Sequence, residues 1–138
     1  MKAILTAIYD RLKVDTGGGT NPVRTAVSDR IYQIEAPASS PLPLVVFGLS
    51  NLSTSHAFGG REGVTGTLVV SVVGKTQVGV AALADIEDEV FTLLDRQNLP
   101  ATGYGRVYLR VTNRGVPANE GEYTRLDSSL ELVAHATS

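Results

Sequence analysis

The chain has 138 residues, of which 43% are hydrophobic and 19% charged, with a formal net charge of −2. This composition is typical of a globular protein, and it excludes both the strong charge of a disordered chain and the positive excess typical of a nucleic-acid-coating protein. The length fits one domain over residues 1–138. The absence of cysteine excludes disulfides and thiolate metal sites, so we expect packing alone to hold the domain together. No apolar run is long enough to predict a membrane span.

The first half of the sequence predicts one helix and three strands. Apolar residues at helical spacing predict a helix over Lys2–Val14, and the glycines and proline of Asp15–Pro22 predict a connection that ends it. Strands are expected at Arg30–Glu35, Leu44–Ser50 and Val64–Val73. The proline-rich segment between the first two strands should cross the surface. The polar segment between the last two should form the long arm of a hairpin.

The second half predicts one long helix followed by two strands. The helix is expected over Gly79–Gln97 and should be closed by Pro100 and Gly103. The strands are expected at Gly105–Asn113 and Tyr123–Ala134. This order of elements predicts an α+β fold, with an antiparallel or mixed β-sheet and two α-helices packed on one face.

The last two predicted strands both alternate apolar and polar residues, so each has one apolar face. A register that matches apolar with apolar side chains, and arginine with carboxylate, satisfies both faces at once. The predicted pairs are Arg106 with Glu131, Val107 with Leu130, Arg110 with Asp127 and Val111 with Leu126. In this register the hairpin centres between Ala118 and Asn119.

The sequence offers few residues for catalysis or for cofactor binding. The triplet Gly74-Lys75-Thr76 is similar to part of a phosphate-binding loop, but the position that requires the first glycine holds Val69. His56 and His135 have no carboxylate or second histidine at metal-ligand spacing. No Gly-x-Ser-x-Gly motif is present. We therefore expect no enzyme activity, no cofactor and no metal.

Glu87 falls inside the apolar arc of the second predicted helix, between Leu83 and Phe91. The arc spans about 160°, whereas one packed face needs roughly 100°. A carboxylate in such a position requires a partner. Two interpretations are open: Glu87 lies at the edge of the packed face and reaches water, or Val80, Glu87 and Phe91 form a subunit interface in which a neighbour's arginine pairs with Glu87.

Several segments occur in a distinctive order along almost the whole chain. They are the amphipathic opening helix, Val27-Ser28-Asp29-Arg30-Ile31-Tyr32, Pro41-Leu42-Pro43-Leu44-Val45-Val46-Phe47, the helix Ala81–Leu94, Gly105-Arg106-Val107-Tyr108-Leu109-Arg110 and the alternating final strand. In this order and spacing, the chain resembles the tail terminator, or tail-completion, proteins of long-tailed bacteriophages.

The resemblance implies a ring, usually hexameric, that caps the tail tube, ends its polymerisation and presents a surface to the head-tail connector or adaptor. It implies a virion protein of the head-tail junction that is made in the host cytoplasm. Genome DNA would pass through the lumen without sequence-specific binding. Two arms, Leu52–Gly63 and Arg114–Glu122, are expected to contact the tube or the connector. The expected contact residues are His56, Phe58, Arg61, Arg114 and Glu120.

Two alternative functions stay open from the sequence. The first is another neck component of the same particle, such as a head-tail adaptor or a minor tail subunit. The second is a nucleic-acid-binding α+β module, in which Arg106, Arg110 and Arg114 would contact phosphates. The net charge of −2 disfavours this second function, because phosphate binding depends on positive charge.

Overall fold

The computed structural model describes residues 2–13, 21–27, 30–34, 41–56, 62–76, 79–101, 103–115 and 117–136. Within these ranges the chain forms three helices and seven strands. The helices are α1 (Lys2–Lys13), α2 (Pro22–Val27) and α3 (Val80–Leu94). The strands are β1 (Ile31–Gln33), β2 (Leu44–His56), β3 (Glu62–Lys75), β4 (Gln97–Ala101), β5 (Tyr104–Asn113), β6 (Ala118–Glu120) and β7 (Tyr123–Ala136).

The strands form one mixed sheet in the order β1-β2-β3-β7-β5-β4, and β6 pairs with the beginning of β7. Only the pairing of β1 with β2 is parallel among the described strands. The predicted α+β class with a mixed sheet is therefore confirmed.

The sheet is curled rather than flat. Strands in a sheet lie about 4.8 Å apart, so the outer strands of a flat six-strand path would be about 24 Å from each other. Helix α1 has 12 residues, so it is about 18 Å long and about 10 Å across. Both dimensions are smaller than this separation, yet α1 contacts both outer strands, β1 and β4. The two edges must therefore bend toward α1. The predicted arrangement of two helices on one face is therefore met only in part: α1 and α3 both lie on the concave side, but α1 also lies between the two edges of the sheet.

The hydrophobic core fills the concave side of the sheet. Helix α1 contributes Ile4, Ile8 and Leu12, and α3 contributes Leu83, Val90 and Leu94, all buried. Alternate residues of the central strands meet them, including Leu68, Val70 and Val72 of β3 and Leu126, Leu130 and Leu132 of β7. The side chains on the opposite face are more polar and include the ion pair of Arg110 with Glu131. The period-two pattern thus separates core from surface.

Helix α2 is absent from the prediction. The expected connection Asp15–Pro22 lies mostly outside the described residues, but its last residue begins this helix. The side-chain Oδ1 of Asn21 accepts hydrogen bonds from the backbone N–H groups of Val23 and Arg24, at 3.0 and 3.3 Å. Asn21 is therefore the N-cap, and Pro22 occupies the first helical position, which proline favours.

The strands extend further than predicted. Polar residues 51–56 belong to β2, where they pair with β3 as far as His56 opposite Glu62. The hairpin arm is therefore itself a β-ribbon, with a bulge between Ser50 and Ser53. The long helix ends at Leu94 rather than at Gln97, and residues 97–101 form the edge strand β4. Its Pro100 lies at an irregularity of the ladder on a sheet edge, where a missing N–H is tolerated.

The predicted register of the last two long strands is wrong by four residues. Arg110 lies opposite Glu131 rather than Asp127, and Val107 and Val111 lie opposite Ala134 and Leu130. The short strand β6 pairs with the first residues of β7, so the tight turn falls at 121–122. A shift by an even number of residues leaves both faces unchanged, and alternation alone cannot detect it.

Candidate assembly interface

The three residues predicted for a subunit interface lie on α3 in different environments. Val80 begins the helix and is 43% exposed, whereas Glu87 and Phe91 are only 6% and 8% exposed. The interpretation that Glu87 reaches water is therefore wrong. Val80 alone of the three presents an apolar side chain to the surroundings.

The carboxylate of Glu87 is compensated within its own chain. Its Oε2 accepts a 2.6 Å hydrogen bond from the Ser128 hydroxyl, and its Oε1 lies 3.6 Å from Nε of Arg114. The same hydroxyl accepts the backbone N–H of Gly115 at 3.1 Å. A buried carboxylate needs such partners, because desolvation of the charge is costly. A neighbour's arginine is not needed to balance Glu87.

Arg114 holds the connection after β5 against α3. Its guanidinium lies 4.9 Å from the centroid of the Phe91 ring and forms an ion pair with Asp88. The close approach requires Gly115, since a Cβ there would lie 2.7 Å from the carbonyl oxygen of Asp127. Arg114, predicted for partner contact, is thereby brought together with Glu87 and Phe91, predicted for a subunit interface.

The structure does not describe the other predicted contact side chains. His56 ends β2 and Glu120 ends β6, and both side chains lie outside the described set. Phe58 and Arg61 lie outside the described residues altogether. Their contact role stays a prediction. The strands place His56 at the far end of the β2–β3 ribbon and Glu120 beside the turn into β7.

A second surface was not predicted from the sequence. A groove next to the N-terminal half of α3 is lined mainly by apolar residues, with one charged group, Lys75. Tyr123, opposite Lys75 in the ladder, is 49% exposed and lines an adjoining hollow. Tyr123 lies on the polar face of an alternating strand, and an aromatic ring on that face is the sequence feature that could have indicated this surface.

The described residues contain no group of three or more histidine, aspartate or glutamate side chains arranged to hold a metal ion. Within the same part of the chain, no helix has the length and apolar character needed to cross a membrane. What the site contains is a set of surfaces: an exposed apolar residue, a salt-bridged connection and two shallow grooves beside α3. Such an arrangement is suited to binding another macromolecule.

No protein-family model matches the chain, and no curated protein matches it either. Sixteen chains of solved structures are similar to it. One is a chain from the virion of a native gene transfer agent particle, with a TM-score of 0.69 and 17% identity over 98% of this chain and 96% of the other. Another, with no functional description, has a TM-score of 0.70 and 14% identity over 99% and 96% of the two chains. At these identities the similarity establishes a shared fold.

Proposed function

We propose that the chain is a structural component of a phage or phage-like virion, acting by binding other virion proteins rather than by catalysis. The observation that carries this proposal is the fold similarity to a chain of the gene transfer agent virion, which extends over 98% of this chain. A match of this extent leaves almost no part of the chain to form a separate functional unit.

Within the virion, we propose the role of tail terminator. Copies of the chain form a ring, with six as the expected number, that caps the tail tube and ends its polymerisation. The opposite side of the ring receives the head-tail connector, and genome DNA passes through the lumen. The order of segments along the sequence supports this finer role, as do the two hairpins, β2–β3 and β6–β7. Residues 51–54 of the first hairpin and 121–123 of the second are exposed and can contact tube and connector.

The proposed contacts between subunits centre on α3. Val80 is exposed enough to meet a neighbour directly, whereas Glu87 and Phe91 lie beneath Arg114 and support the surface from below. The proposed contacts with tube and connector use the ends of the two hairpins, with His56, Phe58, Arg61 and Glu120 as the residues to test. Arg114, on the connection after β5, is the further residue to test. All of these contacts are protein-protein contacts.

Electron microscopy of particles with and without the chain tests this function. Wild-type particles should show a single ring of this chain where tail meets head, identified by a tag fused to the chain. Particles made without it should carry tails longer than normal, because polymerisation is no longer stopped. Tails of normal length that fail to join heads would assign the chain to a head-tail adaptor. Density along the tail would assign it to a minor tail subunit.

The proposal of a virion role fails as a whole under one result. Purified particles that contain no copy of the chain, while the chain accumulates elsewhere in the producing cell, would contradict it. The measurement is quantitative mass spectrometry of gradient-purified particles. A major tail protein provides the internal standard.

A further inference from the structure

The two flanks of α3 carry different surfaces. One flank forms a groove with β5 and the connection after it, which we call the acidic groove; its lining residues are Asp88, Phe91, Thr92, Asp95, Val111 and Arg114. The other flank forms the apolar groove, lined by Leu42, Pro43, Lys75, Ala82 and Ile86 among others. At about 100° per residue, the helix residues of the two grooves are centred on nearly opposite sides of the axis.

The acidic groove holds more negative than positive charge. The carboxylates of Asp88 and Asp95 line it and that of Glu87 lies beneath, whereas Arg114 is the one cation among its lining residues. Asp88 is in contact with Arg114, and Oδ1 of Asp95 accepts the backbone N–H of Val111 at 2.7 Å. Three carboxylates against one guanidinium leave a local charge of −2.

The rest of α3 is also acidic. The helix contains four acidic residues, Asp85, Glu87, Asp88 and Glu89, and no basic residue. None of them lies in the first turn, so the helix dipole does not account for them. Like charges four residues apart on a helix, as in Asp85 and Glu89, repel each other. Neither of these two side chains has an ion pair among the described residues.

The apolar groove carries the complementary features. Lys75 is exposed at its border and forms no ion pair with any described residue. Leu42 and Pro43 are partly exposed beside it, and Tyr123 is the neighbour of Lys75 in the ladder. No carboxylate is among the described residues that line the apolar groove, and Glu122 lines the adjoining hollow.

We infer that these two flanks are the two halves of one head-to-tail contact between copies of this chain. The apolar groove of one copy, with Lys75, packs on the acidic groove of the next, where Lys75 approaches Asp88. A heterologous contact needs two different surfaces on each copy, and it closes into a ring when the rotation fits. Opposite charges across the contact select the partner surface and its orientation. The inference rests on the proposed ring.

The contact differs from the one that the sequence suggested. Glu87 is already engaged by Ser128 and Arg114, so the neighbour's cation meets the exposed Asp88 instead. Phe91 contributes through the guanidinium stacked on its ring. Arg114 therefore orients the surface, and removal of Arg114 would uncover Phe91 as well as shift Asp88.

Cross-linking in assembled particles tests the contact directly, because the chain contains no cysteine of its own. The double variant Lys75→Cys/Asp88→Cys should give a ladder of disulfide-linked multimers under mild oxidation, up to the size of the ring. Each single-cysteine variant should form no disulfide-linked multimers, since Lys75 and Asp88 meet only across a head-to-tail contact. Equal cross-linking of a single variant would indicate a symmetric contact and overturn the inference.

Charge reversal gives a second readout. Lys75→Glu and Asp88→Lys should each lower the number of copies per particle by about tenfold, and the double variant should restore it, because the opposite charges are again paired. The exposed Asp10→Lys change on α1 is the matched control and should have no effect. A ring seen by microscopy with neither ladder nor rescue would refute this contact alone. Particles without any ring would refute both it and the proposed function.

Discussion

The hydroxyl of Ser128 joins two polar groups that belong to different parts of the chain. It donates to Oε2 of Glu87 at 2.6 Å and accepts the N–H of Gly115 at 3.1 Å. Ser128 itself is only 2% exposed. The neighbouring Arg114 then completes the compensation of the Glu87 charge. One small side chain therefore supports the attachment of the connection after β5 to α3.

Replacing Ser128 by alanine should destabilise the fold. The change leaves a buried carboxylate oxygen and a backbone N–H without a partner. We expect this to lower the free energy of unfolding by about 2 kcal/mol. Urea unfolding followed by circular dichroism measures the difference. The matched control is Ser129→Ala on the opposite face of the same strand, with an expected effect below about 0.5 kcal/mol. Equal effects of the two changes would contradict the role assigned to Ser128.

The partner of Glu87 shows how far sequence reasoning reaches at the scale of one residue. The helical pattern correctly indicated that Glu87 lies within the packed arc and requires a partner. The pattern could not identify Arg114 or Ser128, because both lie on later elements whose positions depend on the strand register. Charge compensation between distant elements is a property of the tertiary fold.

At the scale of elements, periodicity located the amphipathic helices well and the polar strands poorly. Helix α1 agrees with its prediction to within one residue, because its buried side chains recur at helical spacing. Residues 51–56 are serine, threonine, asparagine, leucine and histidine, and their strand depends on pairing with β3 rather than on burial. Tertiary pairing of this kind leaves little local signal.

Helix α2 did have a local signal. An asparagine followed by proline is a favourable start of a helix, since the asparagine side chain caps the first free N–H groups and proline has none to lose. The glycines before Asn21 instead predicted a connection. The structure shows that Asn21 is 5% exposed and also donates from Nδ2 to the carbonyl of Arg11, at 3.0 Å. This residue therefore ties the start of α2 to α1.

Substitutions of Asn21 should separate these two functions. Asn21→Asp keeps the capping oxygen but loses the donor to Arg11, whereas Asn21→Ala loses both. We expect Asn21→Ala to lower the free energy of unfolding by about 1–2 kcal/mol through loss of the cap alone, and Asn21→Asp to lower it by less. Thermal unfolding measures both. An aspartate variant less stable than the alanine variant would show that the cap is not the dominant contribution.

At the scale of the whole molecule, α1 connects both ends of the strand order. It packs on β1 at one edge and on β4 at the other, and Nε of Arg11 donates to the carbonyl of Leu93 at the end of α3, at 3.0 Å. The helix therefore stabilises the curl of the sheet as well as the core. We expect the domain to unfold in one cooperative step, since loss of α1 releases both edges.

The variant Ile8→Ala tests this cooperativity. Ile8 is fully buried, and its truncation should cost about 2–5 kcal/mol. Far-ultraviolet circular dichroism and tyrosine fluorescence should still give the same urea midpoint, at a lower concentration than for the wild type. The exposed Asp10→Ala change on the same helix is the control, with little expected effect. Separate midpoints for the two probes would show that α1 unfolds independently.

The position of α1 also has a consequence for how the chain is made. Arg11 leaves the ribosome 82 residues before Leu93, with which it forms its hydrogen bond. At synthesis rates of about 5–20 residues per second, the nascent helix waits roughly 4–16 s for the end of α3 and slightly longer for β4. During that interval the core around Ile4, Ile8 and Leu12 is incomplete, so we expect protection by cellular chaperones to matter most for the earliest part of the chain.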